Sequence, residues 1–253
     1  MQKLSSNEIK LLRKSGKILK NALSEVILAI KPGISAASLD QIAESSIRQQ
    51  GGTPSFKNYP PGDDNPFPAA LCVSLNDEIV HGIPYPNKII REGDIVSVDL
   101  GVNYHGMNTD MAKSVIAGSP KNKIDEKLIK VTEQALKIAI ANAIAGHTTG
   151  DIGNAVEMYI KKEGFSVVRA LVGHGVGRNV HEDPQIPNFG RKNEGEKLVS
   201  GIAVAIEPMV VVGSHDVKTS SDGWSVSTLD GSKAAHFEHT ILIGSKRSEI
   251  ITV

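Results

Sequence analysis

The sequence predicts an α+β protein made of two pseudo-symmetric halves, about 1–119 and 120–253, and three observations carry that expectation. Apolar residues recur at helical spacing in two pairs of segments, each pair closed by glycine. Runs rich in Val, Ile and Leu follow each pair. Laid on itself with an offset of 113, the chain places Gly33 on Gly146, Leu39 on Ile152, Glu44 on Glu157 and Gly51 on Gly164. Two helices followed by antiparallel strands, twice over, give halves that meet in a central sheet, with room for a site between them.

Each element has a local reason. Ser5 with Glu8 three residues on is a capping box, after which Ile9, Leu12, Ile18, Leu19, Leu23 and Val26 form one helical face until Pro32-Gly33. A second helix is predicted over 37–49, with Leu39, Ile42, Ala43 and Ile47 on its apolar face and Gly51-Gly52 ending it. The stretch 58–68 holds four prolines, a glycine and two aspartates, so an exposed loop is expected. Strands are predicted over 70–75, 94–103 and 109–117, the last two joined as a hairpin through Tyr104-His105-Gly106. Beyond Ser119-Pro120 the order repeats, with helices over 123–145 and 151–163 and Gly164 as the stop.

Composition narrows the function. The 253 residues carry 28 Lys and Arg against 28 Asp and Glu, so no net field draws the chain to nucleic acid or anionic lipid, and peptide-like substrates fit better. Hydrophobic residues at 40% and charged residues at 22% exclude collagen-like and disordered classes. Cys72 is the lone cysteine, which excludes an internal disulfide and a zinc site of several thiolates. The polar start lacks the apolar core of a secretory signal, and no later stretch is long and apolar enough to span a bilayer, so the expected compartment is the cytoplasm.

The chemistry shows in acids set inside apolar strands. Asp99 interrupts the run 95–102, Glu207 the run 202–212 and Glu238 the run 236–243, while Asp110 lies on the arm returning from Asp99. One such acid is more often a strand-edge residue reaching water or an arginine; four together need cations. The nearest in sequence, Lys113 and Arg178, cannot neutralise all four. Four carboxylates carry four negative charges, which two divalent ions balance and a single ion leaves half unmet. His174, between Gly173 and Gly175, adds an imidazole on a backbone that neighbours can approach closely. Asp99, Asp110, His174, Glu207 and Glu238 form an oxygen-rich set with one nitrogen, suited to Mn, Fe, Co or Zn and unlike a calcium cage or a thiolate zinc site.

The segments around these residues resemble the methionine aminopeptidases of bacterial type I, a family of pita-bread fold. The resemblance runs through Ser74 to Pro84 with His81, Gly93 to Asp99, Asn108-Thr109-Asp110, Gly173 to Arg178, His181 to Pro184, Ile206 to Met209, Asp222-Gly223-Trp224 and Glu238-His239-Thr240, in the family's order and at its spacing. It implies a single catalytic domain over 1–253 with a curved central sheet, and two divalent ions (Co, Mn, Fe or Zn) on the five ligands, Asp110 and Glu238 bridging. It implies that His81 and His181 stand beside the scissile peptide group and that Glu207 shuttles the proton of the attacking water. Cys72, Phe67, Trp224 and Tyr59 would line the pocket for the methionine side chain. The implied reaction removes N-terminal methionine from peptides and nascent chains, preferably ahead of a small residue. A monomer is implied, with transient ribosome contact and with no nucleic-acid specificity and no membrane partner.

Two departures from the family stand out. Val180 occupies a place where bacterial relatives usually carry an aromatic residue, and the loop 58–68 is longer than the usual connection. A Cys72 nucleophile activated by His81 is the alternative to a pocket wall. Rival functions are an Xaa-Pro aminopeptidase or prolidase-like metallopeptidase, whose relatives usually carry a large extra N-terminal domain, and a non-catalytic binding protein on the same fold. A third is a metal-free hydrolase resembling creatinase.

Overall fold

Helix α1 (Ser6–Ala29) starts where its capping box puts it: Glu8 N donates to Ser5 Oγ at 3.3 Å and Ser5 N donates to Glu8 Oε2 at 2.7 Å. These contacts come from a computed structural model that describes residues 2–60 and 62–253; Met1, and Pro61 in the expected loop, lie outside the described residues. Helix α2 (Ala36–Gln49) is followed by β1 (Thr53–Pro54), β2 (Leu71–Leu75), β3 (Glu78–Val80) and the hairpin β4 (Ile95–Tyr104) and β5 (Met107–Ile116). The second half opens with α3 (Lys123–Asn142) and α4 (Thr149–Lys162), then β6 (Ser166–Val167), β7 (Gly173–Gly175), β8 (Glu182–Ile186) and β9 (Ala203–Ile206). It closes with β10 (Met209–Val211), β11 (Val217–Thr219), β12 (Val226–Thr228), β13 (Ala234–His236), β14 (His239–Leu242) and β15 (Glu249–Ile250).

The boundaries differ from the sequence expectation where side chains or distant backbone decide them. Helices α2 and α4 start earlier because Ser35 and Thr148 are the caps, Thr148 forming a capping box with Asp151. Helix α3 stops three residues short of Ala145, since Ala145 N and Gly146 N are taken by Gly244 O and Leu198 O. The hairpin turn is only His105-Gly106, both at positive φ (49° and 84°), the pairing a two-residue turn needs, so Tyr104 belongs to the strand.

The offset of 113 holds residue for residue through the helical layer: α2 lies on α4, cap Ser35 on cap Thr148, and β1 on β6. Gly33 and Gly146 stop the chain at φ 91° and 96°, and Gly51 and Gly164 at 81° and 84°. Glu44 pairs with Arg48 and Lys57, and its counterpart Glu157 with Lys161 and Arg169.

Strand β4 is the centre of the first sheet, with β5 along one edge and β1 and β2 sharing the other. The second large sheet runs β15-β14-β9-β7-β8, and smaller sheets are β13-β10-β6 and β11-β12-β3. Alternation sorts β4: Val96, Val98, Leu100 and Val102 pack with α1 and α2, while Ser97, Asp99 and Gly101 face the other way. In the second half Val204, Ile206, Val210 and Ile241 pack with Leu128, Leu136, Ile152 and Val156 of α3 and α4. The apolar core of each half therefore lies on the helix side of its strands, and the acids lie on the opposite face.

Candidate metal centre and substrate cavity

Pairing registers locate the acids. Pro54 faces Val102 in the first half and Val167 faces Val210 in the second, so the positions three residues earlier, Asp99 and Glu207, are equivalent. Asp99 sits in the unbroken β4. Glu207 sits in the gap between β9 and β10, because Pro208 has no N–H for the ladder. The pairings on either side of that gap keep one register, so Glu207 stands across from Glu238. Asp110 stands across from Gly101 and is pinned by Thr240, whose hydroxyl accepts from Asp110 N at 2.8 Å and donates to Asp110 O at 2.9 Å.

His174 comes from β7, between β8 and β9. A Cβ at Gly173 would lie 2.5 Å from Ala205 O, and one at Gly175 would lie 2.3 Å from Asp183 O, so only glycine lets the three strands close around the imidazole. His174 Nδ1 is 2.9 Å from Gly175 O, and a carbonyl can only accept; the proton is on Nδ1 and the Nε2 lone pair is free. Asp110, His174 and Glu238 each offer a ligand atom within 4.8 Å of the others, and His174 Nε2 is 3.5 Å from Glu207 Oε1.

Burial pushes the carboxyl groups of Asp99, Asp110, Glu207 and Glu238 above the usual carboxylate range. Mutual repulsion adds to it at Asp110 and Glu238. Burial lowers His174 to about 3 and His81 to about 4, so both imidazoles are neutral. Neither of the two cations nearest in sequence pairs with the acids: Arg178 bonds Glu8 and Gln2, and Lys113 lies beside His239. Asp99 Oδ1 and Glu238 Oε1 are buried without a hydrogen-bond partner among the described residues. A neutral imidazole nitrogen, unpartnered carboxylate oxygens and clustered acids without a cation form a donor set that fits divalent metal ions.

All eleven residues predicted for the site border one cavity. Cys72 pairs with Asp99 across β2 and β4, so the cavity wall and one of the clustered acids are fixed by one ladder. Asp40 holds the start of β2, accepting from Ala70 N and Leu71 N at 2.8 and 2.9 Å. Burial and the nearby Asp99 and Asp110 push the Cys72 thiol well up. This environment suits a wall and opposes a thiolate nucleophile. Phe67 meets Trp224 edge-on at 5.3 Å, and Trp224 Nε1 donates to Asn65 O at 2.9 Å.

The long loop is closed at its neck, where Asn58 N donates to Phe67 O and Phe67 N to Tyr59 O. That places Tyr59 in the cavity wall, its hydroxyl 2.7 Å from His181 Nδ1. Val180 is buried but does not border the cavity, and the tilted ring of Tyr59 stands 5.1 Å from that of His181 beside it. Sequence reasoning missed Phe56, which also lines the cavity; a Cβ on Gly101 would lie 2.6 Å from its ring, so the bare glycine in β4 admits it. The available signal was an aromatic just ahead of the loop and a glycine two residues after Asp99.

A profile of metallopeptidase family M24 matches residues 10–245. The chain belongs to that family. It is 45% identical over 249 residues to the methionine aminopeptidase of Clostridium perfringens, covering 98% of this chain and 97% of that one. The crystal structure of a methionine aminopeptidase from Thermotoga maritima superposes with a TM-score of 0.96 at 40% identity, covering 100% and 99% of the two chains. Prolidase from Pyrococcus furiosus shares the fold at a TM-score of 0.80 and 22% identity, and this chain covers 65% of it. Membership fixes a pita-bread fold and implies use of divalent metal.

Proposed function

We propose that the chain is a metal-dependent aminopeptidase that removes N-terminal methionine from peptides and nascent proteins, preferably where the next residue is small. The observation that carries this reading is the convergence of five metal-type donors, two histidines and an apolar wall on one cavity. The full-length likeness to methionine aminopeptidases supports the same substrate. The prolidase likeness, at 22% identity, supports the fold and no more.

Asp99, Asp110, His174, Glu207 and Glu238 would hold two divalent ions, drawn from Co, Mn, Fe or Zn, with Asp110 and Glu238 shared between them. Bound there, such ions supply Lewis-acid polarisation of the scissile carbonyl, a more acidic water and an anchor for the free α-amine. The chain's own groups do the rest. Glu207, with its raised carboxyl, takes the proton of the attacking water and passes it to the leaving amine. His81 and His181, both held toward the neutral form by burial, bind the peptide group and donate a hydrogen bond to the oxygen that gains charge. Phe56, Tyr59, Phe67, Cys72 and Trp224 form the side-chain pocket, where a thioether meets aromatic edges and a buried sulfur.

Because the donors come from both halves, residues 1–253 act as one catalytic domain. The enzyme works as a monomer in the cytoplasm on peptide and nascent-chain N-termini, with transient contact at the ribosome. No helix among the described residues is long and apolar enough to cross a membrane.

The test is release of methionine from Met-Ala-Ser before and after EDTA. Chelation abolishes release and added Mn or Co restores it; activity that survives chelation would favour the metal-free hydrolase, and no release under any metal the binding protein.

A further inference from the structure

Beside Glu207 lies a further imidazole that neither the ligand set nor the substrate cavity uses. His236 ends β13, is 1% exposed, and has no hydrogen-bond partner on either ring nitrogen among the described residues. A buried polar group left unbonded carries its full desolvation penalty, so the ring calls for a partner. The candidate is Glu207 Oε2, 3.5 Å from His236 Nε2. That is just beyond a hydrogen bond, and such contacts in catalytic sites commonly tighten when the site is filled.

Register makes His236 more than a chance neighbour. Asp99 faces Ala112 and its equivalent Glu207 faces Glu238; two residues further along the same strand faces stand Asp110 in one half and His236 in the other. His236 thus occupies the place that Asp110, a proposed ligand, holds in the first half. Its backbone is pinned there by Ser114, whose hydroxyl accepts from His236 N and donates to His236 O, both at 2.8 Å. Ser97 Oγ in turn lies 2.6 Å from Ser114 Oγ, tying the position to β4.

Glu207 therefore lies between two imidazoles at equal distance, His174 on Oε1 and His236 on Oε2. They cannot play the same part. His174 spends its proton on Gly175 O through Nδ1 and turns a lone pair to Glu207's side of the site. His236 Nδ1 has no acceptor, while its Nε2 faces a carboxylate, so its proton belongs on Nε2.

We propose that His236 is a positioning residue for Glu207: its Nε2–H donates to Glu207 Oε2 and leaves Oε1 for the metal centre. This rests on the role proposed above for Glu207. The test compares His236→Leu with His236→Gln, whose amide can supply the same N–H. Both are assayed for methionine release, and after chelator treatment both are titrated with Mn²⁺ by calorimetry. His236→Leu is expected to lower kcat and manganese affinity by about 10–100-fold, with KM within about twofold, while His236→Gln stays within about fivefold of wild type. Should the leucine variant not fold, His236→Asn, with an amide too short to reach, takes its place. Equal losses in both variants, or none in the leucine variant, overturn the assignment. So does a wild-type ring found protonated on Nδ1 in ¹⁵N spectra of the metal-free protein. A wild type that releases no methionine overturns the proposed function instead, and the ring-proton and manganese arms still decide His236.

Discussion

The two halves share a helix pair, serine or threonine caps and left-handed glycine stops at equivalent positions, yet the central strand of the first is whole and its counterpart in the second is broken at Glu207-Pro208. The scaffold repeats because its rules are local: a cap, an apolar stripe and a glycine suffice each time. The chemistry does not repeat. Asp99 stays within a ten-residue strand, whereas the carbonyl of Glu207 is taken by Asn188 Nδ2 at 3.0 Å outside any ladder. A duplicated frame can thus carry unlike acids at equivalent points, one fixed in a ladder and one at a strand break, and that asymmetry suits the unlike roles proposed for Glu207 and Asp99.

The sharpest way to break this comparison is to substitute both equivalent acids. Glu207→Gln is expected to lower kcat by about 10³-fold or more, some 4 kcal/mol of barrier, with the fold intact. Asp99→Asn should act first on manganese affinity measured by calorimetry. Wild-type turnover of Glu207→Gln on Met-Ala-Ser would refute its role.

The helical layers should respond alike. Leu39 and Ile152 are equivalent and fully buried, so Leu39→Ala and Ile152→Ala should each destabilise by about 2–5 kcal/mol in urea unfolding. A gap wider than that range would show that the halves are not packed alike. Smaller again, Ser35→Ala and Thr148→Ala should each cost about 1 kcal/mol, read from the same midpoints.

The smallest effect concerns acid. At Glu44, hydrogen bonds from Lys57 and Arg48 hold the carboxyl below its usual range. At Glu157 burial works the other way, but Lys161, Gly190 N–H and Arg169 outweigh it. Both pKa values are lowered on folding, so their contribution is present above the unfolded value of 4.5 and is lost as pH falls below it. The unfolding free energies of Glu44→Gln and Glu157→Gln should fall below wild type at pH 7 by under about 1 kcal/mol each and converge with it once pH lies well below 4.5. A gap that persists in acid would mean that packing, not charge, is lost.

Much of this architecture is legible in the order of residues. The caps at Ser5, the glycine stops and the offset of 113 are patterns within a few residues or a shift of the chain on itself. The acids declare themselves because a charge inside a Val- and Ile-rich strand has no cheap explanation. The three-residue strands β3, β11 and β12 are not legible, since each exists only by pairing with a neighbour. Tyr59 can be named from its segment, but its contact with His181 depends on how the loop neck closes. His236 reads as one more residue of an apolar strand until both its nitrogens are seen to lack partners.

By itself, the chain order determined the helices, their glycine stops, the doubling and which acids interrupt apolar strands, because hydrogen bonds within four residues and alternation along a strand are written locally. Only the tertiary structure decided which acid meets which. Thr240 reaches Asp110 across 130 residues, and Ser114 reaches His236 across 122. Contacts of that span follow from strand register, and register is settled only when both helix layers have buried their apolar faces against the sheets.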